Sequence, residues 1–134
     1  MKRVLIFGTF DILHPGHLHF LQAAKKLGDH LIVSLARDKF VKRIKGRKAN
    51  NSELDRKRLI EALKIVDKAV LGSKGDYIKH IISQNPHVIA LGYDQRAFTQ
   101  NLKQKLADAG LKSVKIVRLK PYKPQYYKSS KFHK

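Results

Sequence analysis

Four consecutive apolar residues, Val4-Leu5-Ile6-Phe7, run into Gly8-Thr9-Phe10-Asp11-Ile12-Leu13-His14-Pro15-Gly16-His17. An apolar period of helical spacing follows, through Leu18, Leu21, Ala24 and Leu27 to Gly28. A short run that is apolar at every position has the length and composition of a strand buried on both faces. The period after it is a helix, with Gly28 as its stop signal. The stretch is therefore strand, tight loop, helix N-terminus. In open parallel sheets ligands sit beyond the carboxyl ends of the strands, and a helix N-terminus favours anions. His14 and His17 fall at that junction, and Pro15 and Gly16 between them set the turn and let a ligand approach the backbone. The stretch has the form of a holder for a phosphate chain.

The alternation continues along the chain. Strands are predicted over residues 2–7, 30–36, 67–71, 87–91 and 114–119. The first helix is predicted over 15–27. Ser52-Glu53-Leu54-Asp55 reads as an N-cap and acidic first turn, opening a helix with Leu59, Ile60 and Leu63 on one face. Another helix runs from Asp76, with Tyr77, Ile78, Ile81 and Ile82 as its apolar side, to the break at Asn85-Pro86. Phe98, Leu102, Leu106 and Ala109 mark a further helix stopped by Gly110. Residues 39–51 read as a basic connection, too charged for the core. Strands alternating with helices at these intervals predict an α/β fold: a Rossmann-like, doubly wound, parallel five-stranded sheet in a single domain, with right-handed crossovers. That domain is expected over 1–119. Residues 120–134 show no period and read as a basic segment completing or flanking the site.

Composition narrows the class. A chain of 134 residues makes one domain with one real core, and no apolar run approaches the ~20 residues of a membrane span. The chain enters a strand almost at once, so no signal peptide is expected. Cysteine is absent, which excludes disulfides and thiolate metal sites; a cytoplasmic protein is expected. The formal charge of +19 raises nucleic acid as a partner. It equally suits small phosphorylated substrates, whose capture is speeded by long-range attraction. The basic clusters, Lys39 to Lys48 and Lys112 to Lys134, have no recognisable nucleic-acid fold around them. They read mainly as solvated surface, and neither a nucleic acid nor a membrane is the expected partner.

Gly8-Thr9-Phe10-Asp11 with His14, Gly16 and His17 resembles the signature of the cytidylyltransferase-like nucleotidyltransferases, which carry His-x-Gly-His after the first strand. The resemblance implies transfer of a nucleoside monophosphate from a nucleoside triphosphate to a phosphate group, releasing pyrophosphate. It gives His14 and His17 the role of transition-state stabilisers rather than nucleophiles. The physics agrees, because attack at an α-phosphorus builds charge that positioned donors can meet, and histidine donates whether neutral or protonated. Thr9, Phe10, Pro15 and Gly16 are the implied nucleotide contacts. Asp11 reads as a structural carboxylate holding the loop by an Asx-type bond, with metal assistance as the alternative. Asp94 follows the fourth strand. Its carboxylate could accept ribose hydroxyls or cap the next helix, and the resemblance implies nucleotide binding.

Lys45 and Arg47 correspond to two lysines that contact phosphates in the related glycerol-phosphate cytidylyltransferases. Arginine at the second position grips phosphate as a planar fork. Arg56 matches a family arginine for which an acceptor phosphate or a subunit contact is implied. The family's Ser/Thr-rich C-terminal segment is matched only by Ser129-Ser130-Lys131, with Lys120-Pro121-Tyr122 in place of an arginine-threonine pair. The carboxyl side of the nucleotide pocket then falls to Tyr122 or to a partner subunit.

Ala36-Arg37-Asp38, Lys45-Gly46-Arg47-Lys48, residues 66–73 and Leu91-Gly92-Tyr93-Asp94-Gln95 are most similar to the archaeal FAD synthases. That sub-family resemblance implies transfer of AMP from ATP to FMN with a divalent metal, Mg²⁺, in a homodimer. The chain itself supplies no recognisable metal-ligand motif. An isoalloxazine pocket would be apolar or aromatic, with Tyr93, Phe98, Tyr122, Tyr126 and Tyr127 as candidates. The C-terminal cysteines common in that sub-family are missing here. Two alternatives stand: a CTP-dependent cytidylyltransferase acting on glycerol 3-phosphate or a similar polar or sugar phosphate, and a non-catalytic basic nucleotide- or RNA-binding module.

Overall fold

The computed structural model describes residues 1–92, 95 and 101–120. Its elements are β1 (Arg3–Gly8), α1 (Pro15–Lys25), β2 (His30–Leu35), α2 (Asp38–Lys45), α3 (Glu53–Glu61), β3 (Lys68–Leu71), α4 (Tyr77–Gln84), β4 (Val88–Leu91), α5 (Leu102–Asp108) and β5 (Lys115–Arg118). The sheet is five-stranded, in the order β3-β2-β1-β4-β5, and every pairing is parallel. The chain winds outward from β1 through β2 to β3, then returns to the other side of β1 for β4 and β5. The reversal leaves a crevice at the carboxyl ends of β1 and β4. The predicted doubly wound sheet is the observed one, with strand ends shifted by at most one residue.

Both faces of the sheet are covered, which is why its strands read as unbroken apolar runs. On one face Val4, Ile6, Leu31, Val33, Val88 and Ala90 pack with Leu21 and Ala24 of α1 and Ile60 of α3. On the other, Leu5, Phe7, Ile32, Ile89 and Leu91 pack with Ile81 of α4 and Leu102 and Leu106 of α5. Each fully buried Leu or Ile contributes about 1.5–3 kcal/mol by leaving water. β5 alternates, with Ile116 on the second face and Val117 and Leu119 on the first.

Helix ends follow local chemistry. Ser52 and Asp76 cap α3 and α4 by accepting from the N–H groups of Asp55 and Lys79. Asn85, left-handed at φ 50°, closes α4 before Pro86.

Two expectations change. Residues 38–45, expected within a basic connection, form α2. Of its eight residues Val41 alone is buried, and the short apolar face of Phe40, Val41 and Ile44 stands among Lys39, Lys42, Arg43 and Lys45, whose charge reads as loop. Lys42, Arg43 and Lys45 suit the negative end of the helix dipole, and Gly46 at φ 75° stops it. In α3 the buried residues are Arg56 and Ile60, whereas Leu59 is exposed.

Candidate active site

The loop after β1 is built by a reversal of the backbone. Phe10 sits at φ 50° and folds its buried ring back over Gly8. A Cβ on Gly8 would lie 2.4 Å from Phe10 Cε2, so only glycine fits there.

Asp11 then fastens the loop to a distant segment. Its carboxylate accepts from the backbone N–H of Asn50 at 2.6 Å and of Asn51 at 2.8 Å. Asn51 Nδ2 donates to the Asp11 carbonyl at 2.8 Å. The expected structural role holds, but the bonds reach across the chain and form no local Asx turn.

Arg56 is 0% exposed and joins four pieces of backbone and side chain. Its Nε donates to Asn51 O at 3.0 Å. Its Nη1 donates to Thr9 O at 3.1 Å and Ala36 O at 2.8 Å, and its Nη2 to Asp38 Oδ1 at 2.7 Å. The expectation of an acceptor-phosphate or subunit contact is corrected: the guanidinium is enclosed and committed, and it serves the site by holding its walls. Glu53 extends the network, accepting from Arg37 Nη1 at 3.1 Å and from the N–H of Asp38 at 2.8 Å.

His14 and His17 come together at the start of α1. His14 is the N-cap residue, and its Nδ1 accepts from the N–H of Gly16 at 3.1 Å. An accepting Nδ1 puts the proton of the neutral ring on Nε2, making that atom a donor. The two rings stack with centroids 3.8 Å apart and planes 29° apart. Phe10 meets His17 edge-on at 5.4 Å. Burial pushes His17 down to about 4, with help from His14 and Lys45, against a backbone hydrogen bond with Ile12. Burial also lowers His14. At neutral pH both imidazoles are therefore uncharged, and each keeps one N–H donor. The buried Nδ1 of His17 has no hydrogen-bond partner among the described residues.

Lys45, the exposed last residue of α2, acts electrostatically on His17. Arg47 lies just past Gly46 and is exposed. Thr9 and Gly16 line the same loop and helix start, half-buried, with Pro15 exposed beside them. Asp94 and Tyr122, and the ring candidates Tyr93, Phe98, Tyr126 and Tyr127, lie outside the described residues. His80 bonds Ser34 Oγ through Nε2 at 2.8 Å on the far face of the sheet.

Sequence reasoning missed how the crevice is stitched. Gln95 Nε2 donates to Phe7 O at 2.6 Å, and its Oε1 accepts from the N–H of Gly92 at 2.8 Å. Arg118 Nη1 donates to Gly92 O at 2.8 Å and Gln95 O at 3.0 Å. These bonds tie β1, β4 and β5 together on the flank of the crevice. The signal was an amide side chain directly after a strand-end Gly-x-Asp.

A cavity of about 300 Å³ opens beside the histidine pair, with a mainly leucine lining. Among the described residues no group of three or more His, Cys, Asp or Glu side chains could hold a metal ion. No described helix is long and apolar enough to cross a membrane.

With this geometry in hand, similarity to known proteins is extensive. The cytidylyltransferase-like family matches residues 5–133. The FAD synthase of Aciduliprofundum boonei is 47% identical over 122 residues, covering 91% of this chain and 80% of that protein. The FAD synthase of Thermoplasma volcanium is 45% identical over 134 residues, covering 100% of this chain and 93% of that protein. The crystal structure of a lipopolysaccharide core biosynthesis protein from Thermoplasma volcanium superposes with a TM-score of 0.85 at 46% identity, covering 91% of this chain and 98% of that one.

Proposed function

The chain belongs to the cytidylyltransferase-like family and is a nucleotidyltransferase, and on that premise we propose that it transfers AMP from ATP to FMN, giving FAD and pyrophosphate. The observation that carries the choice of substrates is the identity, across nine-tenths or more of the chain, to proteins named FAD synthase.

The reaction follows from the residues. An FMN phosphate oxygen attacks the α-phosphorus of ATP in line. The new bond joins that oxygen to the α-phosphorus, and the bond to the β-phosphate bridging oxygen breaks, releasing pyrophosphate. A phosphate monoester loses its second proton near pH 6, so the nucleophile is already ionised and needs no general base. Neutral histidines suit this, because their task is to donate. His14 Nε2–H and the ring N–H of His17, exchanged from its bond with Ile12, meet charge on the α-phosphate and the leaving pyrophosphate at the positive end of the α1 dipole, whose first amides are already bonded to His14. Losing one such donor typically costs about 10²–10³ in rate. Lys45 supplies the positive charge that the two histidines lack.

Asp11, the carboxylate of the loop, is committed to Asn50 and Asn51. Mg²⁺ then enters as part of the MgATP substrate, which suits a cation that binds through phosphates and waters more than protein cages. When bound, it neutralises phosphate charge. Within this reading Asp94 holds the ribose and Tyr122 flanks the nucleotide. Arg47 joins Lys45 at the acceptor phosphate. The working form is an isologous homodimer in the cytoplasm.

A polar or sugar phosphate acceptor is the second reading, favoured by the name of the Thermoplasma volcanium structure. One assay separates them: ATP or CTP, paired with FMN or glycerol 3-phosphate, in Mg²⁺, following pyrophosphate and joined product. FAD formed from ATP and FMN, and lost in His17→Ala, is expected. CDP-glycerol instead would keep the chemistry and replace the substrates.

A further inference from the structure

We propose that the cavity beside His14 and His17 is the subsite for the acceptor's fused aromatic ring, an inference that rests on the FMN reading above. Leu13, Leu18, Leu21 and Leu63 line it, and both histidines contribute to its wall. A phosphate chain gains nothing from four leucines, and a ribose needs acceptors that this wall lacks. Of the pieces the two substrates carry, a flat heterocycle is what such a lining takes from water with profit. Adenine is the competing ring. In the reading above it travels with the ribose assigned to Asp94, a residue that follows β4 in the chain, and that assignment leaves the α1 side to the acceptor.

Size and position agree. The cavity volume, about 300 Å³, lies at the lower end of ligand pockets, roughly 300–1,000 Å³. Its rim is wet, with Leu13 37% and Leu18 47% exposed, while Leu21 forms a floor at 1%. Lys45, at the end of α2, is within electrostatic reach of His17, and in this reading it holds the acceptor phosphate. A ring seated among the leucines and a phosphate at Lys45 would bracket the ribityl chain across the histidine pair. The cavity would then favour FMN over glycerol 3-phosphate, which brings nothing to fill it.

The test uses Leu18→Asn at the exposed rim and Leu63→Trp, which fills the space. Flavin fluorescence quenching reports FMN binding, and steady-state assays give KM for FMN and ATP separately. Both variants should raise KM for FMN by about tenfold or more. KM for ATP should stay within about twofold of wild type, the scale of an ordinary surface substitution. If Leu63→Trp fails to fold, Leu18→Asn decides alone. Unchanged KM for FMN, in a wild-type enzyme that makes FAD, overturns the ring subsite and leaves the activity standing. A shift of dimer to monomer by sedimentation in Leu18→Asn, with flavin affinity intact, would make the patch a subunit contact and also overturn it. No FAD from wild type would overturn the ring subsite and the FMN reading together.

Discussion

Arg56 Nη1 donates to the carbonyl oxygen of Thr9 at 3.1 Å, so a buried cation on α3 sets the backbone of the loop after β1. The same nitrogen reaches Ala36 O at the end of β2, and Nε reaches Asn51 O. The walls of the site are thus held by one side chain that is buried and bonded within the chain.

Arg56→Lys keeps the charge but cannot serve these partners at once. Each buried carbonyl left unpaired costs about 1–3 kcal/mol. Thermal unfolding should show a loss on the order of 3 kcal/mol, with nucleotide affinity falling alongside. A variant with wild-type stability and selectively lost FMN binding would restore the direct phosphate contact.

Gly8→Ala forces a methyl group into the Phe10 ring. Overpacking of this kind costs about 1–3 kcal/mol. Adding Phe10→Leu should recover part of that loss by removing the ring atoms that clash. Calorimetry on the single and double variants checks the coupling. Additive effects would mean that the ring does not govern position 8.

Asp11→Asn turns an acceptor of two backbone N–H groups into an amide that can present only one oxygen to Asn50 and Asn51. Stability should drop by about 1–3 kcal/mol. kcat should fall as well, because α2 and Lys45 precede the clamped segment directly. Hydrogen exchange would find faster opening at residues 50–51. If exchange there is unchanged while metal dependence shifts, Asp11 faces the metal instead.

His17 gives the pH dependence its sign. The unfolded chain takes up a proton there near 6.5 and the folded chain only near about 4. The stabilisation is complete above 6.5 and is lost as pH falls toward 4, on the order of 3 kcal/mol in all. His17→Gln should flatten the melting temperature between those limits relative to wild type. Parallel profiles would show that His17 is not the depressed group. The acid limb of kcat/KM should instead follow the FMN phosphate, near pH 6.

Gln95→Leu removes the bridge from Phe7 O to Gly92 N–H while keeping most of the side-chain volume. ATP affinity should weaken about tenfold, and FMN affinity should change far less. Competition binding with each ligand separates the two sides of the crevice.

The sheet was legible because burial on two faces writes itself as runs such as Val4–Phe7 and Val88–Leu91. The histidine pair was legible because Pro15 and Gly16 punctuate it at a strand–helix junction. α2 was not, since its apolar stripe is only Phe40, Val41 and Ile44, set among four basic residues in a stretch whose charge reads as solvated loop. Arg56 was misread for a related reason. Its place on the inner face of α3, four residues before Ile60, puts a charge where periodicity expects an aliphatic side chain. What it pairs with, Thr9 and Ala36, is set by the tertiary fold and leaves no mark at Arg56 itself. The leucine cavity was hidden because Leu18 and Leu63 look like ordinary core positions until their exposure is known.

Val4 pairs with Leu31 on one side and with Val88 on the other. During synthesis on the ribosome, β1, β2 and β3 can assemble long before β4 exists. Until it arrives, one edge of β1 is bare and apolar, a template for the wrong neighbour. The central strand, which leads into the loop of His14 and His17, is thus completed late, by one of the chain's most distant contacts. A nascent chain stalled before β4 would carry both histidines and an open edge, and chaperone dependence should concentrate at that length.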